Sequence, residues 1–301
     1  MPTTPGVDGG SAVAPTVDGG FGSPVTGSDV PQGCGRFASP LVIGSDGYFR
    51  FDAVANALTT TTQACAPTGS GQFPLVAVSR NELVATLSER WELRSEVPGG
   101  GCTSPTVLGS NLAALGYPVG MATVRVDGQD SIMAFGTFPL RGDAGGGNVW
   151  AGLVERREDG KVVAHPMFAS PLRFGGLTGT ADGRLFAGIE GSDSSIHGAG
   201  PSFDGVVELD PKTGALVGAP VRVTTTLVRD SNRLPMVFWG GSLWFFLGEP
   251  DATNGLSGTT PKVLRYDFAT KTFATPARVA GAPKSWQGAA VSTCAPTRAP
   301  R

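Results

Sequence analysis

The chain has 301 residues, with 23 Lys and Arg against 25 Asp and Glu, a formal net charge of -2 and a pI near 5.7. That balance argues against the clustered basic surface that nucleic acid binding needs, and no run approaches the eighteen or so apolar residues of a membrane-spanning helix. The 45 glycines are about twice the usual share of roughly 7 %, and no stretch keeps apolar residues at helical spacing beyond one or two turns, so the fold class is all-β.

Residues 1–33 are a Pro/Gly/Ser/Thr/Asp tract in which Val-Asp-Gly-Gly occurs twice. Such a tract buries too little to offset chain entropy and reads as a disordered tether ahead of a folded domain at 34–294, with 295–301 as a disordered tail. The domain opens with a hairpin at 40–52 around a Ser-Asp-Gly turn, then a Thr-rich run into Cys65. A second hairpin covers 73–87, and 91–97 alternates as a half-buried strand does. Segments 119–136 and 149–164 restate a hairpin and an outer pair.

The clearest unit runs from 172 to 217. It holds four short strands, with Asp182-Gly183 turning the first two and Asp210-Pro-Lys-Thr-Gly214 the last two. Segments 234–247 and 263–273 form one more full copy, and 286–293 is a lone strand at the end. Turn glycines Gly128, Gly183 and Gly241 are 55 and 58 residues apart, and the outer-turn positions Gly160, Gly214 and Lys271 are 54 and 57 apart. Two landmarks keeping one period are the mark of blade repeats, which must pack around an axis to bury both faces. The expected architecture is a β-propeller of about five four-stranded blades, or six if each short N-terminal unit is a degenerate blade.

FWGGSLWFF at 238–246 followed by VLRYDFATKTF at 263–273 resembles a kelch repeat, with paired glycines and a Tyr-Asp-x-x-Thr-x-x-aromatic ending. VVELDPKTGAL at 206–216 is similar to the matching end of kelch-like and quinoprotein-like blades. The unit starting at Val119 lacks the glycine pair, and the two N-terminal units are shorter and match less well. The resemblance implies the propeller fold and carries no substrate. Propellers usually close by pairing strands from the two chain ends, so 286–293 is expected to complete the blade begun at 40–52.

Cys34, Cys65, Cys102 and Cys294 are even in number, widely scattered and without a CxxC pair, which weighs against zinc and favours disulfides. Four cysteines allow three pairings; ring closure brings Cys294 toward either Cys34 or Cys65. No positively charged start is followed by an apolar segment, so the chain reads as either cytosolic or a mature form without its signal segment. The cysteines favour the second, an extracytoplasmic protein that is secreted, periplasmic or surface-tethered.

Three connections between second and third strands are long, at 137–147, 190–204 and 248–261, and all leave the same face of the ring. They supply the candidate binding residues Arg141, Asp143, Glu190, Asp193, His197, Asp204, Glu249, Asp251 and Asn254. No catalytic residue is assigned. Ser194, Ser195, His197 and Asp193 share one flexible stretch, which does not hold a triad, and no GxSxG elbow exists. No cofactor is expected except calcium, for which Asp193, Glu249 and Asp251 have the oxygen chemistry. The only two histidines, His165 and His197, exclude a multi-histidine metal site within one chain, and His165 reads as structural. Arg141-Gly142-Asp143 matches the integrin-type tripeptide. Trp239, Trp244, Phe245 and Phe246 read as packing between blades rather than a sugar platform. Arg156-Arg157, flanked by Glu155 and Glu158, reads as a solvated strand face.

Together these features point to a non-catalytic protein that recognises a protein or glycan through the long-loop face. The alternatives are a carbohydrate- or lactone-acting hydrolase with acidic residues at the propeller mouth, and a structural subunit of a cell-surface assembly.

Overall fold

The computed structural model describes residues 17–18, 31, 34, 38–61, 75–98, 100–109, 112, 116–139, 149–165, 168–170, 172–191, 202–229, 233–250 and 259–298. Its strands form five antiparallel sheets in a ring. Among the described residues there is no helix long and apolar enough to cross a membrane.

A two-residue strand, β1 (Val17–Asp18), precedes the ring. The first blade holds β2 (Leu41–Gly44), β3 (Gly47–Asp52) and β4 (Ala57–Thr61). The second holds β5 (Leu75–Val78), β6 (Val84–Leu87), β7 (Glu92–Ser95) and β8 (Thr106–Val107). The third holds β9 (Tyr117–Val126), β10 (Gln129–Pro139), β11 (Val149–Arg157) and β12 (Val162–Ala164), with β13 (Phe168–Ser170) also pairing β11. The fourth holds β14 (Arg173–Gly179), β15 (Leu185–Glu190), β16 (Phe203–Leu209) and β17 (Leu216–Val223). The fifth holds β18 (Met236–Trp239), β19 (Ser242–Pro250), β20 (Thr259–Asp267) and β21 (Thr272–Phe273).

The last strand, β22 (Trp286–Ala290), returns to the first blade and pairs β2 with Leu41 opposite Ala290. The ring therefore has five blades, closed by the two chain ends. Within the 1–33 tract, β1 pairs the outer strand β17, Val17 opposite Val223.

The inner strands β22, β5, β9, β14 and β18 touch one another in sequence around the axis. Where their backbones converge, glycines such as Gly120, Gly176, Gly179 and Gly288 recur. A Cβ on Gly176 would lie 2.0 Å from the Leu234 carbonyl oxygen, and one on Gly179 would lie 2.3 Å from that of Thr123. Only glycine lets β14 nest between its neighbours.

Between blades, alternate side chains of facing sheets form the core. Phe203 of the fourth blade meets Phe245 of the fifth with ring centroids 4.5 Å apart. On the other face of the fifth, Phe246 meets Phe51 of the first at 5.3 Å and the closing Trp286 at 5.1 Å, both edge to face. Trp286 also donates its indole N–H to the Leu247 carbonyl at 3.0 Å. Each buried phenyl ring contributes about 1.5–3 kcal/mol by burial. Trp244, Phe245 and Phe246 are thus blade-packing residues, as expected, while Trp239 anchors through an indole bond to the Ala38 carbonyl.

The Glu155–Glu158 quartet is not a solvated face: Glu155 is 2 % exposed. Its Oε1 accepts a hydrogen bond from Ser131 Oγ at 2.8 Å and one from Arg157 Nε at 3.2 Å. Its Oε2 lies 3.7 Å from Nε2 of the buried His165. Adjacent strand residues face opposite sides, so a run of four charges cannot all point to water when both faces of a blade are covered.

Cys34 and Cys294 form a disulfide across 260 residues of sequence. Cys102 is also disulfide-bonded and no described cysteine is free; Cys65 lies outside the described residues. Disulfides of this kind belong to an oxidising, extracytoplasmic environment.

Candidate functional site

Strand length sets the shape of the long-connection face. β10 and β11 stay paired out to Pro139 opposite Val149, and β19 and β20 out to Pro250 opposite Thr259. In the first two blades the same connections leave four-residue strands, β2 at Gly44 and β6 at Leu87, and are short. The described hairpins of blades three and five therefore rise on one face while blades one and two stay low.

The bases of two of these hairpins are joined by the segment linking the fourth blade to the fifth. Val228 exchanges backbone hydrogen bonds with Gly248, its N–H to the carbonyl at 2.9 Å and the reverse at 2.7 Å. Phe203 N–H donates to the Leu227 carbonyl at 3.1 Å. Leu227 and Val228 are buried, so the segment is held by apolar packing as well as by this short ladder.

The same segment carries two arginines to the mouth of the axis. Arg229 Nη1 lies 3.1 Å from Glu190 Oε1 at the end of β15. Arg233 donates from Nη1 to the Pro118 carbonyl at 2.5 Å and lies 3.7 Å from Glu89. Gly175 makes room for the carboxylate, since a Cβ there would lie 2.0 Å from Glu190 Oε1. Burial pushes the Glu190 carboxyl above its ordinary value, against the opposing pull of Arg229, Arg173 and Arg233. Burial likewise pushes the Arg233 guanidinium down, with Glu89 acting in the opposite direction. Glu190 Oε1 and Arg229 Nε are buried without a hydrogen-bond partner among the described residues. Such a carboxyl holds its proton to higher pH than an exposed one, and when ionised it can accept a donor placed over the mouth.

Beneath this cluster the axial channel is nearly filled. Leu75, Gly120, Gly176, Leu234 and Gly288 line a space of about 20 Å³. That is roughly the room one water needs.

Of the sequence-predicted residues, Glu190, Asp204 and Glu249 are described. Asp204 accepts from Ser202 Oγ at 3.1 Å and lies 3.9 Å from Arg222. Glu249 lies 3.0 Å from Lys262 Nζ, two residues along the facing strand. Each of the three carboxylates is thus ion-paired, Glu190 and Asp204 at the two ends of one connection and Glu249 at the base of another. Arg141, Asp143, Asp193, His197, Asp251 and Asn254 lie outside the described residues. Among the described residues, no group of three or more His, Cys, Asp or Glu side chains is placed to hold a metal ion.

Arg173, Arg229, Arg233 and Glu89 escaped the sequence reading. A signal was present: the polar stretch Arg229-Asp-Ser-Asn-Arg233 immediately precedes an inner strand, and such a position lies at the axial mouth.

Fold and mouth together define a five-bladed β-propeller. No protein-family model and no curated protein sequence matches the chain. Solved structures of similar fold include YjhT, at 12 % identity and a TM-score of 0.44, over 73 % of this chain and 68 % of that one. Another is a streptogramin B lyase, at 13 % identity and a TM-score of 0.39, over 89 % of both chains. A third is a GH43 endo-arabinanase from Bacillus licheniformis, at 13 % identity and a TM-score of 0.41, over 68 % of this chain and 78 % of that one. At these identities the likeness concerns the fold alone.

Proposed function

We propose that this chain is an exported, kelch-like recognition propeller that binds a protein or glycan partner, without catalysis, through the long connections of blades three to five. The observation that carries the reading is the one-sided relief of the ring. The described hairpins of blades three and five extend on one face, and 227–228 ties the bases of the fourth and fifth blades' connections, above an axial space of about 20 Å³. A channel that narrow leaves recognition to the raised face and its charged mouth, and loops held on a rigid scaffold are where binding residues concentrate.

The test replaces 191–201 by a short Gly-Ser link and compares both proteins on a glycan array and against surface-displayed envelope proteins. The expected result is an unchanged melting temperature with loss of the partner bound by the parent chain. Retained binding by the shortened protein would remove the assigned face.

A second reading, a hydrolase acting on a carbohydrate or lactone, draws on Glu190, whose raised pKa suits a proton donor. In that case Glu190→Gln abolishes turnover of a sugar or lactone substrate in a broad hydrolase screen; a screen with no parent activity counts against it.

A further inference from the structure

On the opposite face, a cleft of about 370 Å³ opens between the second and third blades. One wall is a single face of the third blade. Arg125 on β9 stands opposite Asp130 on β10, and one step along, Thr123, Ile132 and Arg156 form a row across β9, β10 and β11. The other wall is the turn between β5 and β6, with Ser79, Arg80 and Asn81.

The acidic side of the cleft is already committed. Asp130 accepts from Arg80 Nε at 3.0 Å on both carboxylate oxygens and from Thr293 Oγ1 at 2.7 Å. Arg157, at the rim, is held by Glu155. Glu158 is exposed at the edge. Arg125 and Arg156 are different: both are half-buried, and among the described residues neither guanidinium makes an ion pair or hydrogen bond. Four arginines line the cleft against Asp130 and Glu158, an excess of positive charge on a chain whose net charge is -2.

The spacing suits one ligand group. Arg125 and Arg156 stand on strands about 10 Å apart and two residues out of register, and their long side chains leaning over the middle strand can meet on one oxyanion. On that middle strand Ile132 offers an apolar floor beside Asp130, whose carboxylate is taken up by Arg80 and Thr293. The volume is at the small end of ligand pockets, which run from roughly 300 to 1,000 Å³.

We propose that this cleft binds a small organic ligand through a carboxylate or phosphate group, held between Arg125 and Arg156 over Ile132. The site is separate from the long-connection face and does not depend on its role. Three probes test it by calorimetry and thermal shift at low salt: citrate, glucose 6-phosphate and inorganic phosphate. At least one is expected to bind in the millimolar range or tighter and to raise the melting temperature. Preference for citrate assigns a carboxylate, and preference for either phosphate probe assigns a phosphoryl group. Arg125→Gln/Arg156→Gln should weaken that binding at least tenfold, Arg125→Lys/Arg156→Lys should weaken it less, and Arg222→Gln on the other face should leave it unchanged. No binding of any probe to 10 mM, or equal binding by the double glutamine protein with an unchanged melting temperature, overturns the proposal. If the glutamine pair fails to fold, loss of fork geometry in the lysine pair with charge retained decides the same point.

Discussion

Glu190 sits where three guanidinium groups would ordinarily hold a carboxylate ionised, yet desolvation outweighs them and its pKa is raised above 4.5. The folded protein therefore binds this proton more readily than the unfolded chain does. Stability from this group is fully present below the unfolded value and is lost as pH rises through the folded one. Glu190→Gln keeps the shape and removes the titration. Its melting temperature minus that of the parent should grow as pH rises from about 4 and level off above the folded pKa. A gap that is constant or shrinks with pH would mean that the arginines, not burial, decide the protonation state. The sequence marked Glu190 as a candidate on a long loop. What it could not show is that the residue lies at a strand end, beneath arginines 39 and 43 positions further on.

At the scale of the element, the outer turns explain why the period was legible and where it faded. Gly160, Gly214 and Lys271, picked out by spacing, all have left-handed backbone, with φ of 86°, 74° and 56°. Two of them share a further device. Asp210 Oδ1 accepts the N–H groups of Lys212 and Thr213, and Asp267 Oδ1 those of Ala269 and Thr270, so an Asp opens the turn four residues before the left-handed position. The first blade repeats this arrangement: Asp52 Oδ1 accepts from Val54 and Ala55, and Asn56 has φ of 50°. Asp52-Ala-Val-Ala-Asn56 was in plain view but lacks the glycine that drew attention to the others, since Asn tolerates the left-handed region as well. Lys271 has no such tolerance. Lys271→Gly relieves a strain of about 1–2 kcal/mol against a chain-entropy cost of about 0.5–1 kcal/mol, for a net gain near 0.5–1 kcal/mol. Urea denaturation reads that gain directly; a loss would place the decisive interaction in the lysine side chain instead.

At the scale of the whole molecule, ring and closure could be read because repeats and chain ends are properties of a single string. The arginine cleft could not, because Arg80, Arg125 and Arg156 are far apart in sequence and meet only when two blades lie side by side. A sequence reading that scores neighbouring charges sees Arg156-Arg157 and stops there.

Closure also sets the most demanding expectation. β22 is held to β2 by four residue pairs, Leu41, Val42, Ile43 and Gly44 facing Ala290, Ala289, Gly288 and Trp286. The Cys34–Cys294 bond sits just outside this short ladder, where Ala38 N–H also donates to the Cys294 carbonyl at 3.0 Å. In the chain-entropy account a link closing a 260-residue loop is worth roughly 5–6 kcal/mol, an upper value for real proteins. Cys34→Ser/Cys294→Ser should therefore lower the urea midpoint by an amount worth several kcal/mol. The loss should not be spread evenly. Amides of β22 and β2 lose their latch and should exchange faster, while β14 and β15, inside a blade built from one continuous segment, keep their protection relative to the global value. Uniformly faster exchange at every strand would show the ring opening only by global unfolding, with the disulfide acting on the unfolded chain alone. An unchanged midpoint would leave the β2–β22 ladder and Trp286 as sufficient closure.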